Sequence, residues 1–125
     1  MIRILLFLLV LLSFSYSNQI NKAFAFAIYD ENGQSENIQN INITKYDYNE
    51  ICYTKIAVFG KLKHNTNIEV KIGNSIGAFE NKIPITNIGK IVIGYEYTFK
   101  HYTVTTGRLE VRVDNKLYDA RVFVK

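Results

Sequence analysis

The sequence contains no tryptophan, one proline and one cysteine among its 125 residues. The single cysteine, Cys52, cannot close a disulfide within the chain, so the fold must depend on an apolar core. The two histidines, His64 and His101, do not stand near Cys52 or each other at the close spacing of metal-binding motifs. The sequence therefore predicts neither a metal site nor a cofactor.

Runs of like charge are also missing, although the formal net charge is +4. Lysines, arginines and acidic residues are spread along the whole chain. Modules that bind nucleic acid usually concentrate their basic residues on one face or tail. The charge pattern therefore favours a soluble protein and argues against a nucleic-acid partner.

The N-terminus resembles a secretory signal. Arg3 precedes an apolar run over residues 4–12, and small residues follow, with Ser15 and Ser17 placed for cleavage before Asn18. The run is much shorter than the ~20 residues that a membrane-spanning helix needs. We expect residues 1–17 to be removed and residues 18–125 to form one domain, exported to the periplasm or the medium, without a transmembrane segment. An uncleaved anchor or a buried helix is the alternative.

Beyond the signal, apolar and polar side chains alternate with the period of β-strands. The alternating segments are 23–28, 41–44, 52–59, 68–72, 91–102, 108–113 and 116–125. In the first segment Phe24, Phe26 and Ile28 are expected to share one face, opposite the alanines. Residues 74–87 are predicted to form an irregular crossover with at most one edge strand, because Pro84 cannot donate to a central ladder.

The last two segments predict a hairpin around a tight Asp114-Asn115 turn. A two-residue loop pairs Val113 with Lys116, Val111 with Tyr118 and Leu109 with Ala120. The same register places Glu110 opposite Asp119 and Arg108 opposite Arg121. These like-charge pairs disfavour it slightly, but burial of the valine face should prevail.

About seven such strands predict an all-β fold, an antiparallel two-sheet sandwich. The pattern looks like an immunoglobulin-like or fibronectin-like sandwich, with a transthyretin-like sandwich as the alternative. The paired cysteines and core tryptophan of true immunoglobulin domains are missing. A likeness at the level of the fold carries no function.

The stretch GYEYTFKHY within residues 91–102 is rich in aromatic rings. Tyr95, Tyr97 and Phe99 continue the alternating face that begins with Ile91 and Ile93, which predicts a position in the core. The alternative is a stacking platform for a sugar or a nucleic acid, completed by Lys100. Alternation places Lys100 on the opposite face from the rings, which disfavours the platform.

Catalytic residues are hard to find. Cys52 could act as a nucleophile with His64 or His101, but it shares its face with Ile56 and Val58 and is expected to be a buried, inert thiol. The loop DENGQSE offers Asp30, Asn32 and Glu36 as calcium ligands. Its glycine is fourth rather than sixth, so a polar hairpin loop is the simpler interpretation. The sequence predicts no enzymatic activity.

Two loops are the best candidates for contact with a partner. Exposed tyrosines suit recognition because they offer large, stiff contact areas. The predicted binding residues are Tyr46, Asp47, Tyr48 and Glu50 in one loop and Asn32 and Gly33 in another. The alternative is that both tyrosines fold back over one end of the sandwich. Asn42-Ile43-Thr44 matches a glycosylation acceptor, relevant in a eukaryotic cell.

Together these features predict an exported, non-enzymatic binding or accessory module of the cell envelope or extracellular space. Its expected partner is another protein or a surface component. The alternative is a structural subunit that assembles by edge pairing or by exchange of the N-terminal segment 18–22.

Overall fold

The computed structural model describes residues 19–125, and the predicted export signal lies outside them. The strands are β1 (Gln19–Asp30), β2 (Ser35–Asn37), β3 (Cys52–Lys61), β4 (Ile68–Ile72), β5 (Ser75–Ile76), β6 (Ala78–Thr86), β7 (Val92–His101), β8 (Gly107–Val113), β9 (Lys116–Asp119) and β10 (Phe123–Val124). Within residues 19–125, no helix has the length and apolar character that spanning a membrane would require.

The strands form two antiparallel sheets. The first has the order β2-β1-β3-β7-β6, and the second has the order β10-β8-β4-β5, with β9 also paired to β8. This confirms the predicted all-β fold with two antiparallel sheets. The strands number ten rather than about seven. Strands β2 and β5 contain only three and two residues and are too short to give a periodic signal, the predicted segment 116–125 is divided into β9 and β10, and β6 is present where the predicted strand at 41–44 is not.

Side chains from both sheets meet in one apolar core. On β3 the alternating residues Cys52, Thr54, Ile56 and Val58 are all fully buried, as predicted. The second sheet contributes Val70, Ile72, Leu109, Val111 and Val113. The sheets therefore lie face to face with the core between them.

Strand β1 departs from the predicted alternation. Ala23, Ala25 and Ile28 are buried, whereas Phe24 and Phe26 are half-buried. The pairing with β3 skips one residue between Ala25 and Ala27, which makes Phe26 the extra residue of a β-bulge. One inserted residue reverses the face of everything that follows, so Ile28 joins the alanines rather than the phenylalanines.

The β8–β9 hairpin keeps its predicted turn but changes register. Asp114 and Asn115 have φ angles of 49° and 70°, as a type I′ turn requires, and Val113 pairs with Lys116. Beyond this pair the strands slip by one residue, so Val111 opposes Asp119 instead of Tyr118.

The predicted pair of Leu109 with Ala120 is also wrong, because the Leu109 amide donates to the Val122 carbonyl at 2.8 Å. The slip separates the like charges that the simple register would have brought together. Arg108 opposes Phe123, and the Asp119 carboxylate turns toward Arg121 and the core.

Two further segments differ from expectation. Residues 41–44 form no strand. Ile43 makes only an isolated bridge with Phe123, and its side chain is 54% exposed. The segment 74–87 contains the edge strand that Pro84 predicted, since β6 lies at the edge of its sheet. It is more regular than expected, because β5 and the nine-residue β6 occupy most of it. Ile91 and Ile93 are exposed rather than in the core, because the facing sheet does not cover this end of the β6–β7 hairpin.

Candidate functional site

The two loops predicted to bind a partner meet at one end of the molecule. Strand β1 ends at Asp30, and its antiparallel neighbour β3 begins at Cys52, which pairs with Asp30. The loop after β1 and the segment before β3 must therefore lie side by side. They enclose a shallow cavity of about 360 Å³, called here the end depression.

The end depression contains four of the six predicted binding residues. Its lining consists of Asp30, Glu31, Asn32, Asp47, Tyr48, Asn49, Glu50 and Ile51. Gly33 and Tyr46 are neighbours of these residues in the chain but do not line the cavity. Four carboxylates in so small a space make this end of the molecule strongly acidic.

The loop after β1 is held by its first residue. The Asp30 carboxylate accepts hydrogen bonds from the Asn32 and Gln34 amides, each at 2.9 Å. Gly33 adopts a φ of +87°, a conformation that glycine reaches without strain. The Asp30 carboxylate thus supports the turn. Within residues 19–125, no three acidic, histidine or cysteine side chains form a group that could hold a metal ion.

The two tyrosines of the second loop have different surroundings. Tyr48 is 2% exposed, and its hydroxyl donates to Glu36 at 2.9 Å. Burial and the neighbouring Glu36 carboxylate raise the pKa of the Tyr48 phenol well above its ordinary value. Tyr46 is exposed, with the Lys45 ammonium 5.4 Å from its ring centre. Tyr48 therefore supports the loop, while Tyr46 offers its ring to solvent.

Glu36 organises this loop, and sequence reasoning did not find that role. Its carboxylate accepts the Lys45 amide at 2.8 Å and the Tyr46 amide at 3.1 Å, in addition to the Tyr48 hydroxyl. These donors lie nine to twelve residues further along the chain. Hydrogen bonds between residues so far apart in the chain depend on how β2 pairs with β1, so no local sequence pattern predicts them.

The acidic side chains of the end depression differ in whether they have hydrogen-bond or ion-pair partners. Glu31 accepts the Tyr53 hydroxyl at 3.2 Å and lies 3.7 Å from the Lys100 ammonium. The loop backbone at Asp47 and Glu50 is fixed, because their carbonyls accept Gln34 Nε2 and the Val104 amide. The carboxylates of these two residues have no partner among the described residues and face solvent.

The aromatic strand lies mainly in the core. Tyr97 and Phe99 are 7% and 4% exposed, and their rings stack with centres 6.3 Å apart. Burial raises the pKa of Tyr97 to about 12. Lys100 lies on the opposite face, over Tyr53 and Tyr102. The core interpretation is therefore confirmed for Tyr97 and Phe99.

A second cavity, of about 280 Å³, opens beside these rings at the edge of the sandwich. Phe79, Lys82, Tyr97 and Phe99 line one side, and the segment around His64 and Ile68 lines the other. The Lys82 ammonium lies 4.2 Å from the Tyr95 ring centre. The cation beside the aromatic rings is therefore Lys82, on the neighbouring strand, rather than Lys100.

Cys52 and His101 oppose each other across β3 and β7 and are both fully buried. The imidazole is bonded elsewhere: Nε2 lies 2.8 Å from the Thr54 hydroxyl, and Nδ1 lies 3.4 Å from the Ser75 carbonyl. Burial lowers the pKa of His101 to about 4 and raises the pKa of Cys52 to about 12. Both groups are neutral at pH 7, so the thiol is buried and unreactive, as predicted. His64 lies elsewhere, in the exposed loop before β4.

Comparison of the chain with protein families, with curated proteins and with solved structures found no match.

Proposed function

We propose that the chain is an exported, non-enzymatic binding or accessory module that acts in the cell envelope or the extracellular space. The facing antiparallel sheets support an immunoglobulin-like or fibronectin-like sandwich, with a transthyretin-like arrangement as the alternative. The observation that carries the proposal is the meeting of two polar loops, distant in sequence, in the end depression. Loops held by a rigid sandwich are a common location for binding residues.

The chemistry of the end depression indicates which partner would fit. Asp47 and Glu50 present carboxylates without partners in the described chain. The exposed Tyr46 ring follows Lys45 and precedes Asp47 in the same loop, outside the lining of the cavity. Carboxylates and an aromatic ring both attract lysine and arginine side chains. We therefore expect the partner to be a protein that offers a basic segment.

Isothermal titration with a lysine- and arginine-rich peptide tests this proposal. The processed protein should bind the basic peptide and not an acidic peptide of equal length, and added salt should weaken the binding. Replacing both free carboxylates (Asp47→Asn with Glu50→Gln) should weaken it about tenfold, since exposed charge pairs contribute roughly 1 kcal/mol each at most. Tyr46→Ala should weaken it by a smaller factor.

The matched control neutralises two carboxylates outside the end depression, Glu69→Gln with Glu80→Gln. This variant should bind the peptide as the unmodified protein does. Equal losses in both double variants would mean that the peptide responds to overall charge and not to this site. Indifference to the sign of the peptide's charge would refute the proposal directly.

A structural subunit is the second candidate, and one observation favours it. Strand β6 lies at an open edge, and eight of its nine residues are exposed. Such an edge can add a strand from another chain. Exchange of the N-terminal segment is less favoured, because Gln19 and Lys22 pair with Lys61 and Phe59 of β3. Sedimentation velocity over a wide concentration range distinguishes the two candidates, since edge pairing requires reversible self-association.

The proposed platform for a sugar or a nucleic acid receives the least support. Burial of Tyr97 and Phe99 leaves little ring surface for stacking, and Lys100 lies on the other face next to Glu31. We therefore propose a protein or a surface component, rather than a nucleic acid, as the partner.

A further inference from the structure

The turn between β6 and β7 carries a group of exposed aliphatic side chains. We call residues 83–93 the hairpin tip. Its exposed members are Ile83, Ile88, Ile91, Val92 and Ile93, and Ile88 is as exposed as in an extended peptide, at 104%. Contiguous apolar surface of this kind marks an interaction site in a soluble protein.

Neither face of the hairpin tip is covered by the rest of the molecule. Successive residues of a strand point to opposite faces. Lys82, Ile83 and Pro84 are consecutive on β6, and all three are exposed. Ile91, Val92 and Ile93 are consecutive on the returning chain, and they are 64%, 47% and 38% exposed. The tip therefore extends beyond the second sheet, with both of its faces in solvent.

The tip is an ordered turn. The Asn87 and Ile91 backbones form a hydrogen bond of 3.0 Å, and the Asn87 side chain accepts the Ile91 amide at 3.1 Å. The Lys90 amide donates to the Asn87 carbonyl, and Lys90 adopts a φ of 61° that closes the turn. Ile88 is thereby held at the extreme end, with its side chain in solvent.

The charges in the chain around the turn have one sign, and Glu96, which opposes Ile83 on the neighbouring strand, is paired with the Lys55 ammonium at 3.0 Å. No acidic residue occurs in the sequence between Glu80 and Glu96, whereas Lys82 and Lys90 flank the isoleucines. Lys22 and Lys61, on the adjoining strands β1 and β3, lie toward the same end of the sheet. The acidic end depression lies at the other end of β1 and β3, so the depression and the hairpin tip are at opposite ends of the first sheet.

We propose that the hairpin tip inserts into the surface of a lipid bilayer that contains anionic lipids. A protein partner with a flat surface would cover only one face of the hairpin, whereas the interfacial region of a bilayer surrounds both. Aliphatic side chains enter the boundary between head groups and acyl chains, and lysines beside them contact anionic head groups. In this orientation the acidic end points away from the membrane and stays accessible, so this inference does not depend on the proposed binding of a basic segment.

The absence of tryptophan from the sequence makes a direct test possible. The variant Ile88→Trp places a single indole at the extreme end of the hairpin tip. Its emission should shift to shorter wavelength on addition of phosphatidylcholine–phosphatidylglycerol vesicles, and not with vesicles of phosphatidylcholine alone. The matched control Ile76→Trp substitutes another exposed isoleucine, on β5 and outside the tip, and should show no shift.

Co-sedimentation of the processed protein with the same vesicles provides the second measurement. The double variant Ile88→Ser with Ile91→Ser should bind the anionic vesicles at least tenfold more weakly. Ile43→Ser with Ile76→Ser removes two other exposed isoleucines, outside the tip, and should leave binding unchanged. Lys82→Gln with Lys90→Gln should reduce the preference for phosphatidylglycerol.

Three results would overturn the inference. The first is that the unmodified protein does not sediment with anionic vesicles. The second is equal binding by the serine variant of the tip. The third is self-association in the absence of lipid that disappears in the same serine variant, because it would assign the hairpin tip to a second copy of the chain.

Discussion

At the scale of single residues, His101 illustrates how this core accommodates a polar side chain. The ring lies between the Thr54 hydroxyl and the Ser75 carbonyl, and an added methyl group at Gly77 would come within 2.9 Å of it. Within the described chain, every buried side-chain nitrogen or oxygen has a hydrogen-bond partner. The arrangement suits a neutral imidazole, which accepts at Nε2 and donates at Nδ1.

This arrangement predicts a loss of stability in mild acid. The pKa of His101 is about 4 in the folded protein, against about 6.5 for a histidine in an unfolded chain. Between these values the unfolded chain binds a proton that the folded protein does not, so the free energy of unfolding falls as the pH decreases. The contribution of His101 should be complete above pH 6.5 and lost by about pH 4, a change of roughly 3 kcal/mol.

Urea denaturation at several pH values, compared between the unmodified protein and His101→Gln, measures this contribution. The variant should lack it, whereas His64→Gln, which changes the exposed histidine, should retain it. An NMR titration of the His101 ring in the unmodified protein gives an independent readout. An ordinary pKa near 6.5 would show that the imidazole is hydrated and the prediction wrong.

At the scale of strands, β-bulges determine which side chains enter the core. One bulge lies where β1 begins, between Ile20 and Lys22, and Gly60 opposes it. Gly60 adopts a φ of +133°, and a methyl group there would overlap the Gln19 carbonyl oxygen. The backbones of β1 and β3 approach so closely at this point that only glycine fits.

We predict that Gly60→Ala lowers the free energy of unfolding by about 2 kcal/mol or more, through both backbone strain and steric overlap. Gly89→Ala is the matched control, because a methyl group there comes no closer than 3.4 Å to its nearest neighbour. Its effect should stay within about 0.5 kcal/mol. Similar losses in the two variants, measured by urea denaturation, would contradict the role assigned to Gly60.

The same bulges mark the boundary of what the sequence predicts. Alternation identified the buried face of β3, and the Asp-Asn pair identified the turn at Asp114-Asn115, because both are local patterns. It failed at Phe26 and Tyr118, where an extra residue changes the face of the chain. The position of an inserted residue is determined by contacts with another strand, and the alternation of apolar and polar residues does not reveal it.

The candidate site shows the same division. Composition and turn residues singled out the loops that form the end depression, and chain direction brought them together. Burial of Tyr48 and its bond to Glu36 depend on the pairing of β2 with β1 and could not be read locally. Exposure of Ile91 and Ile93 likewise depends on where the facing sheet ends.

At the scale of the whole molecule, the ion pair of Asp119 and Arg121 at the end of β9 is hydrogen-bonded to the backbone of β1 in the other sheet. The Asp119 carboxylate of β9 accepts the Ala25 amide of β1 at 3.0 Å and the Arg121 guanidinium at 2.8 and 2.9 Å. Arg121 also donates to the carbonyls of Ala25 and Gln39. Ala25 lies next to the bulge at Phe26. The register slip in β9 and the bulge in β1 therefore occur on the two sides of the same contact between the sheets.

Asp119→Asn should therefore lower the free energy of unfolding by about 2 kcal/mol or more. The neutral amide would lose the ion pair with Arg121 and would accept the Ala25 amide hydrogen bond without the help of a negative charge. Arg121→Lys keeps the charge but loses the planar fork, and we expect a loss of about 1 kcal/mol. Glu110→Gln removes two more exposed ion pairs, with Lys71 and Arg112, and should change stability by less than about 1 kcal/mol.

Hydrogen exchange separates this explanation from general destabilisation. In Asp119→Asn the Ala25 amide, which bonds directly to the carboxylate, should exchange faster by a larger factor than the Ile72 amide on β4. The loss would then be local to the contact between β1 and β9. Equal acceleration at both amides would mean that Asp119 stabilises the molecule as a whole and does not specifically hold the two sheets together.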